Sequence, residues 1–137
     1  MWTHEYEATT PASPHNVWQV LSDFDEWSSW DTSMEWVRLD GPFEVGSPVV
    51  MKPIGQDPIT SSIVDIVPDQ RYAVETVFGG VTLRFSHTLH PDTAGTRVVH
   101  RLEITGAAAD EIGPELGPAI TEDFPEAMAG LLARAAG

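Results

Sequence analysis

Cysteine is absent from the 137 residues, which excludes disulfides, thiol nucleophiles and thiolate metal sites. Positive charge is scarce as well. Seven Lys and Arg stand against twenty-one Asp and Glu, giving a formal net charge of −14, and Lys52 is the sole lysine. Such a surface repels phosphate backbones and anionic lipid headgroups, so neither a nucleic acid nor a membrane is an expected partner; otherwise the acidity reads as a solubilising surface. Nowhere do eighteen apolar residues run together, and the opening MWTHEYEATT has neither a basic nor an apolar signal region. A cytoplasmic protein is the expectation. The motifs GxSxG, GxGxxG after a strand and GxxxxGK are also missing, so serine-hydrolase, dinucleotide and P-loop chemistries lack their parts. No repeat or linker interrupts residues 1–137, which are read as one domain.

What is present is short-range periodicity. WTHEYEAT (2–9) alternates, with Trp2, His4, Tyr6 and Ala8 on one side, as a strand does. Ser13 and Pro14 then mark a helix start, and Val17, Val20 and Leu21 form its apolar stripe. After DFDEWSSWD, strands are predicted at about 34–40, 48–53, 59–67, 71–78, 81–90 and 96–105, each bounded by Gly, Pro or Asp. From about Gly117 the period becomes helical, with Ile120, Phe124, Met128 and Leu131 on one face and a kink expected at Pro125. The fold class is therefore α+β: an antiparallel meander with a C-terminal amphipathic helix lying on its apolar face.

Gly79-Gly80 separates two strand-like runs by a two-residue hairpin turn. That turn sets Tyr72 opposite His87, Val74 opposite Phe85, and Glu75 opposite Arg84. The longer turn HPDTAGT keeps apolar residues opposite apolar ones only if Leu89 faces Val98 and His87 faces His100, which also puts Arg84 opposite Glu103. Tyr72, His87 and His100 then form one row on the inner face. His90, three residues from His87, falls on the outside or in the turn. A metal site is not expected, because no Cys exists and no Asp or Glu on these strands reaches the inner face to complete a ligand set. Two readings stay open: a pair of half-buried histidines satisfied by each other, by Tyr72 or by water, or a proton-exchanging pair sharing one proton.

The stretch ATTPASPHNVWQVLSDFDEWSSWD (8–31) resembles the opening of START-like helix-grip proteins, in particular the polyketide cyclase/dehydrase and lipid-transport family. GPFEVGSPV (41–49), VDIVPDQRYAVE (64–75), GTRVVHRLEITG (95–106) and the last helix extend the likeness over nearly the whole chain. The resemblance implies a helix-grip fold, with a curved antiparallel sheet of about seven strands around a long C-terminal helix and two short helices after the first strand. It also implies a cavity between sheet and helix. Trp27, Trp30 and Met34 are expected to line it, with Val74, Phe85, Phe124 and Met128, around His87, His100 and Tyr72. Each of these is alternatively an ordinary core residue.

The expected function is binding of a hydrophobic, partly oxygenated small molecule, with a cofactor-free cyclisation or dehydration by acid/base catalysis. His87 and His100 would be base and acid, and Tyr72 would hydrogen-bond a substrate carbonyl. The alternative is a carrier or sensor that leaves its ligand unchanged, with loops in 41–58 at the mouth of the cavity. A protein-interaction module would instead need an exposed apolar patch. The acidity disfavours acyl carrier proteins, typically acidic themselves, and so favours a free substrate. A monomer or a homodimer is compatible with the sequence. Among the carboxylates, Asp23, Asp25, Glu26 and Asp31 are assigned to one solvated turn and Asp110, Glu111 and Glu115 to another, with Asp31 alone suspected of reaching the cavity.

Overall fold

The computed structural model describes residues 1–136. Strand β1 (Trp2–Thr10) leads into helix α1 (Pro14–Leu21) and a 3-10 helix (Phe24–Ser29), followed by β2 (Met34–Leu39), β3 (Pro48–Pro53), β4 (Ile59–Val67), β5 (Arg71–Phe78), β6 (Val81–Asp92) and β7 (Gly95–Thr105). Helices α2 (Ala109–Thr121) and α3 (Phe124–Ala136) complete the chain. The strands form one antiparallel sheet in the order β1-β7-β6-β5-β4-β3-β2. Register shifts between Met34 and Trp36 in β2 and between Ile63 and Asp65 in β4 add twist, and the sheet curls into a half-barrel around the helices.

Local chemistry accounts for the start of α1. The Ser13 side chain accepts from the Asn16 amide at 3.2 Å, and Pro14 occupies the first turn. Val17, Trp18 and Leu21 are its buried face. The helix lies against the concave face of the sheet, where Trp18 meets the edge of the Tyr72 ring at 5.8 Å.

The C-terminal helical segment differs in detail from the sequence expectation. It begins at Ala109 rather than near Gly117, so Asp110, Glu111 and Glu115 lie on a helix and not in a turn. Gly113, Pro114, Gly117 and Pro118 read locally as turn residues, yet they sit within α2. The cause is tertiary. Gly113 and Gly117, four apart, present a bare helix face to Trp2, and a Cβ at Gly117 would lie 2.4 Å from the indole ring. The bend falls where Pro125 places it, but as a full break over residues 122–123. Pro125 is then the second residue of α3, where its missing N–H breaks no helical bond.

Candidate functional site

The register puts Tyr72 opposite His87 and His87 opposite His100 on three adjacent strands. Their side chains are turned inward, with exposures of 0 %, 6 % and 3 % for Tyr72, His87 and His100. The Tyr72 and His87 rings stack with centroids 4.9 Å apart, and the two imidazoles meet edge to face at 4.6 Å. His90 is exposed, paired with Arg97 beyond the row. Among the described residues no group of three or more His, Asp or Glu side chains is placed to hold a metal ion. The outer-face row is only partly an ion-pair ladder. Arg84 donates to Glu75 at 3.2 Å, but Glu103 accepts from Arg101 instead.

Above His87 and His100, between the sheet and the break separating α2 from α3, lies a cavity of about 100 Å³. Trp27, Trp30 and Met34 border it from the 3-10 helix and β2, Val74 and Phe85 from the sheet, and Phe124 from the start of α3. Six of the seven side chains expected to bind ligand are thus brought together. The seventh, Met128, is 1 % exposed and belongs to the packed core behind the cavity. It faces inward on α3 as its periodicity predicts, but it lies one turn beyond Phe124, past the wall formed by Ala127.

Asp31 holds the aromatic wall in place. One carboxylate oxygen accepts from Trp27 Nε1 at 3.1 Å, and the other accepts from the amide and hydroxyl of Ser33 at 3.1 and 2.5 Å. Trp27 then lies edge-on to His87 at 5.6 Å and stacks on Trp30 at 5.2 Å; Trp30 and Phe124 flank His100 at 6.5 and 6.1 Å. Met51, Ile120, Asp123 and Ala127 also border the space and were not anticipated. The inward alternation of β3 could have revealed Met51. The other three depend on where the helix breaks.

The hydrogen-bond inventory singles out this place. Among the described residues, the buried side-chain polar atoms without a partner are Trp30 Nε1, both ring nitrogens of His87, and Nε2 of His100. All four belong to residues bordering the one cavity. Buried polar groups are ordinarily paired, so four orphans in one place mark a site completed by something else. Burial also sets the protonation states. Desolvation holds the His87 imidazole well below the usual range, with the nearby His100 acting in the same direction, and desolvation brings His100 down to about 4. Both rings are neutral at pH 7.

Tyr72 behaves differently from the role expected of it. Its hydroxyl donates to the Leu21 carbonyl at 2.9 Å, at the end of α1, and the residue does not border the cavity. Desolvation pushes its phenol well above the usual range. The correction is therefore that Tyr72 supports His87 from behind, with its oxygen committed to the main chain and unavailable to a substrate carbonyl. The 41–58 segment likewise contributes only Met51 to the cavity wall. Phe43 turns instead into the core against Trp18, Phe24 and Tyr72.

Comparison with known proteins agrees with this architecture. The model of the family described as polyketide cyclase / dehydrase and lipid transport matches residues 1–136. No curated protein sequence matches significantly. Among solved structures, the Zhui aromatase/cyclase from Streptomyces sp. R1128 is similar with a TM-score of 0.80 at 18 % identity, over 97 % of this chain and 92 % of that one. The protein TTHA0849 from Thermus thermophilus gives 0.73 at 16 % identity, over 97 % and 96 %. The di-domain ARO/CYC StfQ from the steffimycin biosynthetic pathway gives 0.78 at 10 % identity, over 97 % of this chain and 50 % of that one. At such identities the likeness establishes the fold. No described helix is long and apolar enough to cross a membrane.

Proposed function

Because the chain belongs to the polyketide cyclase/dehydrase and lipid transport family, we propose that it binds a hydrophobic, partly oxygenated small molecule in the cavity and dehydrates or cyclises it without a cofactor. The observation that carries this reading is the cluster of four unpartnered nitrogens on Trp30, His87 and His100, set among aromatic walls. Apolar walls with a few convergent polar groups are the usual make-up of a small-molecule site.

In this reading one imidazole, as a neutral base, takes the α-proton of a substrate carbonyl. The N–H of the other imidazole, and that of Trp30, hydrogen-bond the enolate oxygen that forms. The resulting imidazolium returns its proton to the β-hydroxyl, which leaves as water, and the C=C bond forms as the C–O bond breaks. A His100 brought down to about 4 is a weak base, but its protonated form is a strong acid. The site is thus better matched to expelling water than to enolisation. Tyr72 and Asp31 serve as positioning residues, the first behind His87 and the second through Trp27.

The acidic surface supports a free substrate in preference to one tethered to an acidic carrier protein. The test is dehydration of a β-hydroxy ketone by the wild type and by His87→Ala and His100→Ala variants shown by circular dichroism to be folded. A loss of about 100-fold or more in kcat is expected for each. Undiminished rates in both, or recovery of a bound ligand unchanged, would replace the enzyme with a carrier.

A further inference from the structure

We propose that the cavity selects an uncharged, single-ring molecule carrying both a hydroxyl and a carbonyl oxygen, and rejects the corresponding carboxylate. The proposal rests on the cavity being the ligand site.

Three properties of the site support it. The first is the hydrogen-bonding inventory. Trp30 Nε1 can only donate, whereas a neutral imidazole offers one donor and one acceptor. With both nitrogens of His87 and Nε2 of His100 also free, a ligand that satisfies the site must bring at least two acceptor lone pairs and at least one donor. A carbonyl oxygen supplies the acceptors and a hydroxyl supplies the donor. The corresponding carboxylate keeps the hydroxyl donor and so meets the same inventory; what separates it from the ketone is the charge it would bring into a buried site.

The second property is the surrounding charge. Among the residues bordering the cavity the only cation is Arg101, and it is already bound to Glu5 and Glu103, each at 2.9 Å. The ionised groups left at the rim are Asp31 and Asp123, both half-buried. An entering anion would therefore lose its hydration next to two negative charges with no free positive partner. An ammonium ligand is disfavoured for a different reason, since it has no acceptor for the Trp30 and His87 N–H groups.

The third property is size. The cavity is about 100 Å³, whereas pockets for drug-sized ligands run to roughly 300–1,000 Å³ and an apolar cavity of about 150 Å³ takes up benzene. At about two-thirds of that volume the space holds less than a whole benzene ring, so a single ring is accepted only with part of it and its substituents extending through the open rim, and a second fused ring has no room.

The experiment is calorimetric titration at pH 7 with a matched probe set: 3-hydroxyacetophenone, its carboxylate counterpart 3-hydroxybenzoate, the single-function analogues acetophenone and 3-ethylphenol, and the two-ring 6-hydroxy-2-acetonaphthone. NMR of the His87 and His100 ring protons locates each binding event. The expected result is that 3-hydroxyacetophenone binds about tenfold or more tightly than each of the others: acetophenone and 3-ethylphenol each leave one buried polar group unpaired, 3-hydroxybenzoate meets the carboxylates at the rim, and the naphthalene compound exceeds the space. In His87→Leu this advantage over acetophenone and 3-ethylphenol should disappear. Equal or tighter binding of 3-hydroxybenzoate, or of the naphthalene compound, with shifts at the two histidines, overturns the selectivity while leaving the ligand site intact. Binding of no probe, with the histidine resonances unmoved, overturns both.

Discussion

The inner face of the sheet has two halves built from the same materials and finished in opposite ways. Around Tyr72, a polar aromatic group is closed over by α1, the 3-10 helix and the β2–β3 loop: Trp18, Phe24 and Phe43 pack on the ring, and the Leu21 carbonyl accepts its hydroxyl. One strand away, His87 and His100 border the gap beneath the α2–α3 break, and both nitrogens of His87 and Nε2 of His100 have no protein partner. Strand pairing treats the three residues alike. The difference lies in the covering element. A helix C-terminus, with carbonyls to spare, satisfies a phenol, whereas a broken helix lined by Ile120, Phe124 and Ala127 offers apolar carbon. The first half is core and the second is a candidate site.

The largest expected effect comes from closing the contact that shapes the open half. A Cβ at Gly130 on α3 would stand 2.2 Å from the Trp30 carbonyl oxygen, a main-chain atom with no room to yield. Gly130→Ala should therefore destabilise the fold by about 3 kcal/mol, read by denaturant unfolding, and displace Trp30 from His100. An unchanged midpoint would mean that α3 does not press on the cavity wall.

Next comes pH. An imidazole whose folded value lies below its unfolded value of about 6.5 binds fewer protons in the native state, so stability is complete above that value and is lost as pH falls toward the folded one. For His100, brought down to about 4, this loss between pH 6.5 and 4 is on the order of 3 kcal/mol, and His87 acts in the same direction. Unfolding at pH 7 and pH 5 should show a smaller drop in His100→Leu than in the wild type. Equal drops would show that the half around the histidines is wet.

The smallest effects are the most diagnostic of the contrast. Tyr72→Phe orphans the buried Leu21 carbonyl and should cost about 1–3 kcal/mol, whereas His87→Leu removes nitrogens that have no protein partner and should stay within about 1 kcal/mol of wild type. Ligand binding should respond in reverse, unchanged in Tyr72→Phe and about tenfold weaker for 3-hydroxyacetophenone in His87→Leu. If both variants lose stability equally, His87 is a structural residue like Tyr72.

Much of this was legible in the chain. The two hairpin turns placed His87 between Tyr72 and His100 and left His90 outside, because a side-chain period of two turns register directly into facing. The strand boundaries were legible for the same reason. Helix α2 was not, since Gly113, Pro114, Gly117 and Pro118 have turn chemistry and only the docking of Trp2 on the bared face explains a helix there. The outward-looking question of a protein-interaction patch shows the same limit. Ile54, Val77 and Phe78 are 63 %, 79 % and 54 % exposed at hairpin ends, a fact that composition conceals.

Sequence alone determined the fold class, the sheet register and the identity of the inward row, because these follow from local periodicity and turn geometry. Tertiary structure decided which members of that row keep a free polar atom. Whether a hydroxyl or an imidazole is satisfied depends on what lies within about 3 Å of it, and at Tyr72 that neighbour is Leu21, fifty-one residues away in the chain.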